Sequence, residues 1–161
     1  VAYLGVMAPQ DGVDLLIDAI QHLVEKRGRD DIAYVLIGSG DSYADLRALA
    51  HARGLDDHVT FTGRIPDEEV ARTISSADVC VSPDPKNGLN DHSTMNKVLE
   101  YMALAKPIVA FDLKETRYSA GPAALYACCA VTLSPDVIGT KGLGRGNSAP
   151  QILRPPTAGS E

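Results

Sequence analysis

The sequence predicts an α/β fold: a doubly wound parallel sheet of six strands with helices on both faces. Three observations predict it. Short apolar runs suited to buried strands alternate with segments whose apolar residues recur at helical spacing. Glycine- or proline-bearing turns separate them. The chain of 161 residues, 45% hydrophobic, is long enough to bury one core and is most simply one domain. Crossovers in such sheets are right-handed and ligands bind at the carboxyl ends of the strands, so the expected strand order is 3-2-1-4-5-6.

Val1 to Val6 reads as the first strand, leading into the turn Ala8-Pro9-Gln10-Asp11-Gly12. A helix follows from Val13 to Lys26, with Leu15, Leu16, Ala19, Ile20 and Leu23 as its apolar stripe. Ile32 to Ile37 is a second buried strand ending in Gly38-Ser39-Gly40. Asp41 or Ser42 then starts a helix carrying Leu46, Leu49 and Ala50 toward Gly54, a C-terminal stop. Val59-Thr60-Phe61 is the third strand, closed by Thr62-Gly63-Arg64-Ile65-Pro66. Asp67 caps a helix through Ile74, and Asp78 to Ser82 is the fourth strand. Ala123 to Ala127 makes the sixth.

The stretch Asn87 to Gly121 carries the most information, as a loop, a helix, a buried strand and a second loop. Ser93 or Thr94 can cap a helix whose apolar face is Met95, Val98, Leu99, Met102 and Ala103. Asn96 and Glu100 lie one turn apart beside that stripe. Lys106-Pro107 ends the helix, and Ile108-Val109-Ala110-Phe111 is apolar enough to be buried on both faces. A polar ligand above the helix N-terminus would meet free N–H groups and the positive end of the dipole, which suits phosphate.

Composition excludes several functions. A net charge of −6, two Phe and no Trp argue against nucleic acid as the main partner. Cys80 sits in an apolar run and Cys128-Cys129 are adjacent, so the cysteines form no disulfide framework and a reducing, cytoplasmic location is the default. No apolar run reaches membrane-spanning length. Cys and His spacing offers no zinc site, no Asp-x-Asp metal clamp occurs, and no nucleophile–base pair stands out. The start at Val1, without Met, reads as a piece of a longer protein. Gly139 to Glu161 is rich in Gly, Pro and Ser, which suggests a flexible tail after a truncated domain spanning 1–138.

The central stretch resembles the family 4 (group 1) glycosyltransferases, in the nucleotide-sugar-binding, carboxyl-terminal half of the GT-B fold, itself Rossmann-like. The residues that carry the likeness are Ser82-Pro83, Gly88, Lys97, Glu100, Met102-Ala103 and Lys106-Pro107-Ile108-Val109-Ala110, matching K-x-x-E-x-M-A, a basic residue, P and V-V-A. Tyr3-Leu4-Gly5 with Gly12, Val35-Leu36-Ile37-Gly38-Ser39-Gly40 and Val59-Thr60-Phe61-Thr62-Gly63 are similar to other elements of the family, in the same order. The likeness covers about four-fifths of the chain, Val1 to Ala127, and stops at Cys128.

The resemblance implies a metal-independent hexosyl transfer from a nucleoside-diphosphate sugar, a substrate rather than a cofactor. It implies that Glu100 grips the donor ribose. The donor-binding set is then Gly5, Gly12, Gly38, Gly40, Gly63, Arg64, Ile65, Ser93, Thr94, Asn96, Lys97 and Glu100. A second glutamate stands eight residues earlier in the family; here that place is His92, with Asp91 beside it, and these are the catalytic candidates. Val6 and Asp11 occupy positions where the family has cations, so Lys97, Arg64, Lys86 or Arg117 would substitute at the diphosphate. Each site residue also has a plainer reading: Glu100 as a solvated helix residue, His92 as a local hydrogen-bonder, Gly38 and Gly40 as turn glycines, Arg64 as a surface cation. The resemblance places the acceptor site on an amino-terminal domain, expected to lie outside this chain. The setting implied is cytoplasmic polysaccharide biosynthesis, with room for peripheral membrane association of the parent. The alternatives are a non-catalytic nucleotide-binding or interaction module and a GT-B-like nucleotide-sugar epimerase domain.

Overall fold

The computed structural model describes residues 1–127. The expected tail and the end of the domain at 138 lie outside them. Six parallel strands form one sheet: β1 (Ala2–Leu4), β2 (Tyr34–Ile37), β3 (Val59–Gly63), β4 (Cys80–Ser82), β5 (Ile108–Phe111) and β6 (Ala124–Ala127). Their order is β3-β2-β1-β4-β5-β6, as the sequence predicts. Helices connect each pair in turn: α1 (Val13–Arg27), α2 (Tyr43–Ala52), α3 (Asp67–Ser76), α4 (Asn96–Ala103) and α5 (Lys114–Ala120).

Strand side chains alternate between two cores. Tyr3, Leu36 and Val59 pack with Val13, Leu16, Ile17 and Ile20 of α1 and Leu46 and Ala50 of α2. Their neighbours Ala2, Ile37 and Cys80 pack on the other side with Ile74 of α3, Val98 and Tyr101 of α4 and Ala120 of α5. The chain winds outward from β1 to β3 under one face, then returns under the other, so every crossover keeps one hand.

Several local expectations change. Residues 114–120 form a short helix rather than a loop, begun by the Lys114 N–H bonded to the Asp91 carboxylate at 2.9 Å. Neither Ser93 nor Thr94 caps α4: Met95 holds that position without a side-chain bond. Pro66 precedes α3, and Asp67, Glu68 and Glu69 fill its first turn, where their charge suits the dipole. The buried face of α4 is Lys97, Val98 and Tyr101, whereas Leu99 and Met102 are exposed. The physical reason is that Lys97 and Tyr101 find polar partners in the interior, described below. β5 is buried on one face only, since Val109 is 36% exposed beside Leu125 at 48%. Among the described residues no helix covers that side.

The α1 stripe also turns: Ile17 is fully buried and Ala19 is exposed. Ile17→Ala should therefore lower stability by about 2–5 kcal/mol, while Ala19→Ser should stay within about 0.5 kcal/mol. Urea denaturation of both variants checks this; similar losses at the two positions would contradict the packing.

Candidate functional site

At the centre of the sheet the winding reverses, and a crevice opens there. β1 and β4 share one register pair, Ala2 with Cys80, and the Ala2 N–H bonds the Val79 carbonyl at 2.9 Å. Beyond that rung the strands part. The Tyr101 hydroxyl fills the gap, accepting the Leu4 N–H at 2.8 Å and donating to the Val81 carbonyl at 3.2 Å. Above lies a cleft of about 580 Å³ at the carboxyl ends of β1, β2 and β3. Leu4, Gly5, Val6 and Gly38-Ser39-Gly40 form one side of its lining; Arg64, Ile65, Asp67, Val70 and Glu100 complete it. A larger hollow of about 740 Å³ lies on the flank between α2 and the edge strand β3, away from every loop of the carboxyl edge.

The glycines shape this edge through backbone contact. A side chain at Gly38, whose φ is +127°, would overlap the Gly5 carbonyl oxygen. One at Gly12, φ +66°, would overlap the Pro83 carbonyl, and one at Gly40 the Met7 carbonyl. These residues let the three loops stack directly on each other, which only glycine permits. Gly5 covers the Lys97 stem: a Cβ on it would lie 3.1 Å from Lys97 Cε. The Gly63 carbonyl accepts the Gly38 N–H at 3.0 Å, tying β3 to the same floor.

Under that floor is a buried charge cluster. Lys97 Nζ donates to Asp84 Oδ1 at 2.7 Å, lies 3.9 Å from Asp11 Oδ1 and sits 5.1 Å from the centre of the Tyr3 ring. Lys97 is 8% exposed and Asp84 1%. Ser82 Oγ donates to the other oxygen of Asp84. Burial pushes the Asp11 carboxyl up, although the Ala8 N–H and Lys97 pull it back. Lys97 thus lies beneath the cleft, paired, rather than lining it. Among the described residues Arg64 is the one cation in the cleft lining. Lys86 pairs with Asp91 and Arg117 with Asp112, both away from the cleft lining.

The loop before α4 is held by its own polar groups. Asn90 Nδ2 bonds the Gln10 and Pro85 carbonyls, both at 2.9 Å, and Asn87 Oδ1 accepts the Leu89 and Asn90 N–H groups. Ser93 Oγ donates to the Leu89 carbonyl and Thr94 Oγ1 to Glu115. Asp91 accepts the Lys114 N–H and lies near the ammonium groups of Lys86 and Lys114, at 3.4 and 3.7 Å. That N–H above all, then the lysines, holds its carboxyl below the usual range. His92 is exposed, its Nδ1 3.2 Å from the Gly88 carbonyl oxygen. Asn96 and Glu100 are exposed one turn apart, and Glu100 lines the cleft. The structure therefore gathers Gly5, Gly38, Gly40, Arg64, Ile65 and Glu100 at the cleft. Gly12, Ser93, Thr94 and Asp91 support its loops.

Sequence reasoning missed Asp84, Asn90 and Tyr101. Asp84 alone left a signal, an acid fixed between two prolines directly after a strand.

The strand order and a crevice at the reversal define a doubly wound ligand-binding α/β domain. The chain belongs to the glycosyl transferases group 1 family, whose model matches residues 1–135. Alpha-D-kanosaminyltransferase of Streptomyces kanamyceticus is 36% identical over 113 residues, covering 70% of this chain and 28% of that enzyme. A GDP-mannose-dependent alpha-(1-6)-phosphatidylinositol monomannoside mannosyltransferase of Mycobacterium tuberculosis is 35% identical over 112 residues, 68% of this chain and 29% of that enzyme. The chain thus spans less than a third of the length of these relatives. In fold, HepE of Anabaena, crystallised with UDP and glucose, aligns over 73% of this chain and 30% of its own, with TM-score 0.59 at 20% identity. Among the described residues no helix is long and apolar enough to cross a membrane.

Lys97→Ala would leave Asp84 buried and uncompensated, so it should destabilise the chain by about 3–5 kcal/mol. Chemical denaturation measures it; a loss below about 1 kcal/mol, typical of surface pairs, would contradict a buried pair. Asp91 predicts a pH effect. Its folded pKa is depressed, so its contribution is present above the unfolded value of about 3.9 and is lost as pH falls through the lower folded value. Denaturation midpoints from about pH 6 down to about pH 3 should fall faster for the unaltered chain than for Asp91→Asn, and converge at the acid end. Parallel curves would remove Asp91 from the account.

Proposed function

We propose that the chain is the donor-binding half of a metal-independent glycosyltransferase, transferring a hexosyl group from a nucleoside-diphosphate sugar. The observation that carries this is Glu100. It stands on α4 at the cleft, and its carboxylate makes no hydrogen bond or ion pair among the described residues. A free carboxylate there can accept both ribose hydroxyls, and family membership supports that role.

The departing diphosphate needs its charge stabilised. In this reading the N–H groups of the β1–α1 turn, the N-terminus of α4 and the Arg64 guanidinium supply that stabilisation. No cofactor takes part, because the sugar nucleotide is itself the substrate. Asp91, committed to Lys114, holds the loop, and exposed His92 faces the sugar. Ser93, Thr94, Asn96 and Lys97 set the loop and helix against which the donor lies. An amino-terminal domain, outside this chain, brings the acceptor. The reading extends to a donor domain reaching residue 138, and the family match through residue 135 supports that extent. It extends also to polysaccharide biosynthesis in the cytoplasm and to peripheral membrane association of the parent. The named relative acting on a phosphatidylinositol mannoside supports that last point.

Calorimetry with UDP, GDP and ADP tests the site. Hydrogen bonds to a charged group contribute about 1.5–3 kcal/mol, so Glu100→Ala should weaken the best nucleotide by about tenfold to a hundredfold. The unfolding midpoint should hardly move, since the side chain is exposed. Equal binding by both versions would reduce Glu100 to a solvated helix residue.

A further inference from the structure

We propose that Tyr101 is a positioning residue of the donor site: its hydroxyl bridges the parted ends of β1 and β4 and thereby sets the crevice and the place of Glu100 in it. The inference rests on the donor-site reading above and concerns a position that the K-x-x-E-x-M-A resemblance leaves open.

The register makes the case. The Ala2 N–H bonds the Val79 carbonyl, so two residues further along each strand an unbroken parallel ladder would join the Leu4 N–H to the Val81 carbonyl. Those two groups are instead the partners of the Tyr101 hydroxyl. One rung of the ladder is replaced by two hydrogen bonds in series, with an oxygen between the strands. The sheet parts where Leu4 and Gly5 begin to line the cleft, yet neither backbone group is left unpaired. Tyr101 is fully buried, and burial raises its pKa far above the usual value, so the hydroxyl remains neutral and can both donate and accept.

The same side chain fixes α4. Lys97 and Tyr101 lie one turn apart on the buried face, the first tied to Asp84 after β4 and the second to both strands. Glu100, adjacent in the chain, turns toward the cleft. Rotation or sliding of α4 would move that carboxylate and break both anchors together.

The test is nucleotide binding to the unaltered chain, Tyr101→Phe, Glu100→Ala and the double variant, using UDP and GDP as probes. Thermal unfolding is recorded for each. Tyr101→Phe should bind the better nucleotide about tenfold more weakly. In the double variant the loss should be smaller than the product of the separate losses, because both act through one carboxylate. A lowered unfolding midpoint with unchanged affinity, or losses that multiply fully, would make Tyr101 a packing residue and overturn the proposal. Should Tyr101→Phe not fold, 3-fluorotyrosine placed at position 101 keeps the ring and hydroxyl but weakens the oxygen as an acceptor. It should still weaken binding about twofold to threefold, and unchanged affinity would again overturn the proposal. If the unaltered chain binds none of UDP, GDP and ADP, the donor-site reading itself fails and this inference with it.

Discussion

The parting of β1 from β4 is the constraint on which the rest depends. Everything N-terminal to it winds one way under α1 and α2; everything after β3 returns under α3, α4 and α5. Two neighbouring strands whose connections leave in opposite directions cannot be covered at their carboxyl ends by either helix layer, so a crevice is built into the order of the strands. A tyrosine hydroxyl at that seam spares the two strands a pair of buried, unsatisfied backbone groups, each of which would cost about 1–3 kcal/mol. The loops that wall the crevice stack directly on one another where Gly12, Gly38 and Gly40 leave no room for a side chain.

Charge is arranged with similar economy. Among the described residues the ammonium beneath the floor, Lys97, is neutralised by Asp84, with Asp11 at longer range. That leaves Arg64 as the cation lining a cleft that also carries Asp67 and Glu100. An exposed guanidinium pair contributes little, about 0–1 kcal/mol, whereas backbone N–H groups fixed by stacked loops need no reorganisation when an anion arrives. In the donor-site reading, anion binding thus falls mainly to the β1–α1 backbone and the α4 terminus.

Much of this was legible in the sequence, and the exceptions share a cause. Strand and helix alternation, and hence the strand order, follow from periodicity that neighbours in sequence enforce. Glu100 was recognisable through the likeness to K-x-x-E-x-M-A, and Arg64 and the Gly38-Ser39-Gly40 turn because the loops of a doubly wound sheet meet at one edge. The inward face of α4 was not, because Lys97 and Tyr101 are polar, and their burial depends on partners at Asp84, Leu4 and Val81. No local pattern records such a pairing. α5 escaped notice because LKETRYSA has almost no apolar period; its start is held by Asp91 across the loop, and the Tyr126 hydroxyl bonds the Gly121 carbonyl at its end. Ile17 and Ala19 changed places because the α1 stripe is wide and only the sheet decides which flank turns inward.

The central claim is that the crevice at the β1–β4 seam holds a nucleoside diphosphate with its ribose on α4. A crystal structure of the chain grown with UDP or GDP tests it most directly. The account predicts the ribose hydroxyls within hydrogen-bond distance of the Glu100 carboxylate, with the diphosphate over the backbone of Gly5 and Val6. A nucleotide seated instead in the hollow between α2 and β3, or turned so that Glu100 touches neither hydroxyl, would contradict it.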